Sequence, residues 1–140
     1  MNRIVGDLRF ALVIGVAAML TACASVPVLT CKTGEQLVTL DSLYFGTDKP
    51  QGVVTPEEWA EFLRNTVTPR FPQGFTVSLA SGQWRGADGT IVRETSHVLQ
   101  LAHPNDTLGE QAVLEIVAAY KMQFQQEALL RVKIPACVSF

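Results

Sequence analysis

What most constrains the fold of this chain is where its apolar spacing switches from every second residue to every third or fourth. A strand buries alternate side chains and a helix buries a stripe at i, i+3 and i+4, so each switch marks an element boundary. The sharpest switch is Val54-Thr55-Pro56-Glu57-Glu58-Trp59-Ala60-Glu61-Phe62-Leu63. Thr55 reads as a helix N-cap, Pro56 takes the first helical position, and Glu58 completes a capping box. Val54 and Trp59 stand where a hydrophobic staple needs them, and the stripe continues through Phe62, Leu63 and Val67. Pro69 and Pro72 then break the helix. A second stripe, Val113, Ile116, Val117, Tyr120 and Phe124, predicts a helix from Gly109 to about Gln126, with Asn105, Asp106 or Thr107 as its cap.

The remaining segments alternate. In Glu35–Gly46, Leu40, Ser42 and Tyr44 oppose Asp41, Leu43 and Phe45, and apolar residues in both sets predict a central strand, with Tyr44 and Phe45 in the core. Phe75, Val77 and Leu79 begin a strand that turns at Asp88-Gly89 and returns to His103 as a hairpin. Leu130, Val132 and Ile134 mark a last strand, which Pro135 is expected to end because proline cannot donate to a ladder. The order βαββαβ is that of the ferredoxin-like split βαβ motif. It predicts the α+β class: a four-stranded antiparallel sheet with two helices packed on one face. The other face is expected to carry some of Asp41, Thr76, Ser78, Arg93, Arg131 and Lys133. It is either solvated or paired with a second copy in a homodimer.

The start of the chain reads differently. Arg3 and Arg9 precede the apolar run Phe10–Leu20, and small residues follow, as in a secretory signal peptide. Leu20-Thr21-Ala22-Cys23 resembles a bacterial lipobox. That resemblance implies diacylglycerol on the Cys23 thiol, cleavage before it and acylation of the new amine. The alternatives are an ordinary signal peptide, or an uncleaved anchor that Pro27 would interrupt. The chain then divides into a signal peptide (1–22), a lipidated N-terminus and tether (23–36) and a single domain (37–140). The mature part keeps 118 of the 140 residues, with nine basic residues against twelve acidic once Arg3, Arg9 and Asp7 are removed. Ala24 follows the lipid-bearing cysteine. In a Gram-negative cell the resemblance therefore implies the inner leaflet of the outer membrane, facing the periplasm.

If Cys23 carries lipid, Cys31 and Cys137 remain in an oxidising compartment, and a disulfide between them would tie the two ends of the domain. The alternative is a pair of buried free thiols. With only two histidines and no Cys-x-x-Cys pair, no metal site is expected, and no cofactor. The basic residues are scattered singly, which argues against nucleic acid as a partner.

Several segments together, Leu43-Tyr44-Phe45-Gly46, Thr68–Val77, Gly82-Gln83-Trp84-Arg85, Val92-Arg93-Glu94 and Pro135–Phe140, resemble an uncharacterised bacterial family of secreted lipoproteins, domain of unknown function 3574. The resemblance covers about Leu37 to Phe140. It implies a shared fold and compartment and carries no activity with it.

No nucleophile elbow, HExxH or phosphate-binding glycine loop occurs. Glu94 and Ser96 fall on one side of their strand and His97 on the other, so they form no compact catalytic set. Gln83, Trp84 and Arg85 at a strand end could clamp a flat or anionic ligand. Arg70 offers anion capture or a structural contact with Glu94 or a carbonyl. His103 offers a general base or a solvated imidazole. The expected function is a lipid-anchored, periplasm-facing binding or interaction module rather than an enzyme. The alternative is a cofactor-independent dimeric ferredoxin-like enzyme of the monooxygenase or isomerase type, whose candidate residues are Gln83, Trp84, Arg85, Glu94 and His103.

Overall fold

The computed structural model describes residues 29–140, so the signal segment and the lipobox residues Leu20, Thr21, Ala22 and Cys23 lie outside the described residues. β1 (Gln36–Gly46) is central, as its two apolar sets require. It pairs antiparallel with β5 (Ile91–His103) on one side and with β6 (Leu130–Val138) on the other. β4 (Thr76–Arg85) pairs antiparallel with β5, giving the sheet order β4-β5-β1-β6. The β4–β5 hairpin turns at Gly89, whose φ of 86° needs glycine. A small ribbon, β2 (Asp48–Lys49) with β3 (Gly52–Val53), sits between β1 and the first helix.

α1 (Pro56–Phe62) begins as its sequence dictates. Glu58 N donates to Thr55 Oγ1 at 3.2 Å and Thr55 N donates to Glu58 Oε2 at 2.9 Å. At Leu63 the helix widens into a π turn through Val67, closed by Thr68 N donating to Leu63 O at 2.8 Å. An i→i+5 bond adds a residue to the turn, which returns Val67 to the buried side five residues after Phe62. α2 (Thr107–Phe124) starts at Asp106, whose carboxylate accepts from Gly109 N at 2.8 Å. It ends at Gln125 in the left-handed region, φ 55°.

Both helices cover the same side of the sheet. Leu43 and Phe45 of β1 and Leu99 and Leu101 of β5 meet Trp59, Phe62, Val113, Ile116, Tyr120 and Phe124 in one core. Phe45 and Tyr120 pack edge-on with centroids 4.6 Å apart. Burying each such side chain contributes about 1.5–3 kcal/mol.

Three expectations about this sheet need correction. Asp41, Arg93, Arg131 and Lys133 do not lie on the open face; register aligns Asp41 with Leu101 and Lys133, and Arg131 with Leu43, on the helix side. Asp41, Arg131 and Lys133 are accommodated there by ion pairs among themselves and with Glu110 of the second helix, whereas Arg93 is exposed and donates to Gln83 Oε1 at 3.1 Å. Tyr44 is not core: it stands on the open face with Leu40, Ser42, Thr76, Ser78 and Val132, whereas Phe45 is core as expected. Pro135 does not end β6, which runs on to Val138. β6 is an edge strand, so only one side of it needs donors and a proline is tolerated. Beyond the last core residues, Cys31 and Cys137 are joined, Sγ to Sγ 2.09 Å and Cα to Cα 5.5 Å, closing a separation of 106 residues.

Candidate functional site

Gln125 directs the chain out of α2 and across the end of the sheet's open face. Gln126 Nε2 donates to Asp48 O, which ties this crossing segment to the β2–β3 ribbon. Between the segment and β4 lies an open cavity of about 600 Å³, a size suited to a small molecule. One wall is Trp84 and Val92, the other Ala128, Leu129 and Leu130, and Tyr44, Glu94 and Ser96 supply polar atoms.

Tyr120 OH donates to Gly46 O at 2.9 Å, fixing the end of β1 against α2, and burial pushes that phenol well above its ordinary range. Glu94 lies against Gly46 so closely that a Cβ there would meet its Oε1 at 2.6 Å. Its Oε2 accepts from Asp48 N at 3.2 Å, and no cation pairs with it among the described residues. Ser96 is 9% exposed and lines the cavity, where its hydroxyl opens onto the cleft; no buried side-chain nitrogen or oxygen among the described residues lacks a partner. Trp84 is 41% exposed, with its indole face unstacked by any other aromatic ring among the described residues.

The sequence-predicted candidates therefore separate. Gln83, Trp84 and Glu94 line this cavity. Arg85, expected to join them, does not. Arg70 and His103 border a smaller hollow of about 260 Å³ at the opposite end of β5. Arg70 Nε donates to Glu115 at 3.0 Å and its Nη1 to Thr66 O at 2.8 Å, so its ion pair is with α2 and not with Glu94. His103 is not a solvated loop residue. It is buried, with Nε2 2.8 Å from Asp41 Oδ2 and Nδ1 2.8 Å from Pro104 O. His97 points away from Ser96, as expected, and stacks on Trp59 with centroids 4.3 Å apart; burial holds its imidazole below the ordinary range.

Behind the sheet, the buried Asp41 is the hub of a charge network that reaches the surface at Glu110 and Lys133. Arg131 grips it twice, Nε to Oδ1 at 2.6 Å and Nη2 to Oδ2 at 2.8 Å, and also bonds Glu110, which Lys133 reaches at 2.7 Å. Burial alone would raise the Asp41 carboxyl, but hydrogen bonds from Arg131 and His103 outweigh it and hold the group below the usual aspartate range. The Arg131 and Lys133 hydrogen bonds lower Glu110 to about 2. With every member paired, this network braces the fold and presents nothing to a ligand.

Tyr44, Ser96 and the crossing segment 125–130 are the site residues that sequence reasoning missed. Only the alternation that puts Tyr44 on the face opposite Phe45 could have pointed to one of them.

Fold and cavity together define a mixed α+β domain: a four-stranded antiparallel sheet, two helices on one side, and a ligand-sized cleft at one end of the other. The chain belongs to the family described as protein of unknown function (DUF3574), whose model matches residues 40–140. Comparison with curated proteins gives no match. Among solved structures the chain is similar to a phage SAM lyase in complex with S-methyl-5'-thioadenosine, with TM-score 0.58, 10% identity, and coverage of 82% of this chain and 97% of that one. It is also similar to CutA from Synechococcus elongatus PCC7942, with TM-score 0.50, 13% identity, and coverage of 78% and 84%. At these identities the likeness is one of fold.

Proposed function

We propose that this protein is a lipid-anchored, periplasm-facing lipoprotein whose ferredoxin-like domain binds a small molecule in the cavity beside Trp84. The observation that carries the binding reading is the ligand-sized cleft onto which the Ser96 hydroxyl, the Glu94 carboxylate and the Trp84 indole all open. The Ser96 hydroxyl opens onto the cleft with no protein partner among the described residues, and the Glu94 carboxylate has one contact, with a backbone amide. A bound molecule would satisfy both while covering the Trp84 indole. The anchoring reading rests on Leu20-Thr21-Ala22-Cys23, and two or more acyl chains are what stable anchoring requires.

Two experiments test the halves separately. Cys23→Ser is expected to leave an unprocessed precursor or to release the chain from the membrane fraction; acyl labelling that survives the change contradicts the anchor. Native mass spectrometry of the purified full chain is expected to show a retained small molecule that Trp84→Ala loses. Retention unaffected by that substitution contradicts the cavity. Recovery of the molecule chemically altered would move the reading to the enzymatic alternative.

The open face also favours a homodimer. Leu130, Val132 and Ile134 of β6 are exposed at 61%, 42% and 47% on that face, and an apolar row of this kind marks an interaction surface. A second copy laid over it would cover the row. Sedimentation of the detergent-solubilised chain is expected to give twice the monomer mass, and Val132→Glu is expected to give the monomer.

A further inference from the structure

Resting on the binding reading above, we infer that the ligand of the Trp84 cavity is an organic cation, an ammonium carried on a flat or alkyl body. The charges around the cavity have one sign. Asp48, Glu94 and Glu127 border it, and no lysine, arginine or histidine does. The nearest lysine on the ribbon, Lys49, is committed elsewhere, its Nζ 2.5 Å from Glu58 Oε1. A cleft lined by one sign of charge with apolar walls concentrates the field and raises the local concentration of the opposite ion.

The details favour an ammonium over a neutral or anionic ligand. Glu94 brings two acceptor oxygens and no donor, and an ammonium brings donors and no acceptor. Ser96 and Tyr44 can accept beside it through their hydroxyl oxygens. The unstacked indole of Trp84 offers the face that attracts a cation most strongly among the aromatic side chains, and Val92, Leu129 and Leu130 give an apolar body a surface to lie on. A metal ion fits less well. Among the described residues the one group of three metal-capable side chains close enough to chelate together is Cys31, Glu35 and Cys137, whose sulfurs are bonded to each other. No three of the cavity carboxylates among the described residues come close enough to chelate one ion together. Gly46 completes the arrangement, because any side chain there would displace the Glu94 carboxyl.

The test is calorimetric titration of the full chain in detergent with three probes of nearly equal shape: phenethylammonium, 2-phenylethanol and 3-phenylpropionate. Phenethylammonium is expected to bind at least about tenfold more tightly than the alcohol, the effect of one charge-assisted hydrogen bond, and the carboxylate is expected not to bind. Glu94→Gln, which keeps shape and removes charge, is expected to bring the ammonium down to the alcohol's affinity and leave the alcohol unchanged. Trp84→Ala, on an exposed side chain, is expected to weaken both. Equal binding of ammonium and alcohol, or a Glu94→Gln chain with undiminished preference, overturns the cation inference and leaves the cavity reading standing. Heat from none of the probes overturns both. If Glu94→Gln fails to fold, loss of the ammonium preference in 0.5 M salt, roughly where screening is strong, decides the same point.

Discussion

At the scale of the residue, the two ends of β5 do opposite work. At one end His103 and Arg131 saturate Asp41, and at the other Glu94 and Ser96 face a cavity unsaturated. Asp41→Asn removes the buried charge that Arg131 pairs with and that His103 bonds. Breaking such a set costs about 3–5 kcal/mol, and the lower end, about 3, is expected here because Arg131 keeps Glu110. Urea unfolding measures it. The carboxyls of Asp41 and Glu110 are both held low when folded, Glu110 at about 2. Across the interval between folded and unfolded values the unfolded chain therefore binds more protons. Stability is full above the ordinary carboxylate range, near pH 4, and drains as pH falls toward the folded values. A urea midpoint independent of pH below about 4 would contradict the network. Asp41→Asn should flatten part of the slope.

At the scale of the element, local chemistry decides where helices start and tertiary contact decides where they go. Thr55→Ala removes the capping bond from Glu58 N to Thr55 Oγ1, leaves the bond from Thr55 N to Glu58 Oε2, and is expected to cost about 1 kcal/mol by chemical denaturation. Gly109→Ala shows the opposite priority. Alanine is the better helix former by about 1 kcal/mol, yet a Cβ at Gly109 would collide with His103 Nδ1 and stand 3.0 Å from Pro104 O. A net loss of stability is expected, read from the same unfolding curves. This contrast also explains what was legible. The capping box, the Asp88-Gly89 hairpin and the buried stripes lie within a few residues of each other, so their signals are local. The face chosen by β1 was not legible. Asp41 looks solvent-facing until His103 and Arg131, 62 and 90 residues away, arrive to neutralise it. The π turn leaves no sequence mark, and the end of α2 falls at Gln125 without the glycine that usually signals a left-handed cap. Gln83, Trp84 and Glu94 could be singled out because aromatic and polar side chains at strand ends are conspicuous. Ser96, Tyr44 and the segment after Gln125 join them only once the sheet and the crossing chain exist.

At the scale of the whole molecule, the domain is a sheet with one face closed by helices, its ends tied by Cys31–Cys137, and its open face running into a cleft. A bridge closing about a hundred residues is worth up to about 4–5 kcal/mol through the unfolded chain's entropy. Cys137→Ser is therefore expected to lower the urea midpoint, and reductant should reproduce the loss. An unchanged midpoint would mean that the covered sheet alone holds the termini. The central claim is that a ligand enters the cleft beside Trp84. The chain's two tryptophans make that directly measurable, since Trp59 lies in the core and Trp84 in the cavity wall. A ¹⁵N-indole spectrum recorded while phenethylammonium is added should move the Trp84 signal in a saturable way and leave Trp59 in place. Movement of neither signal, or of both together, would contradict the account.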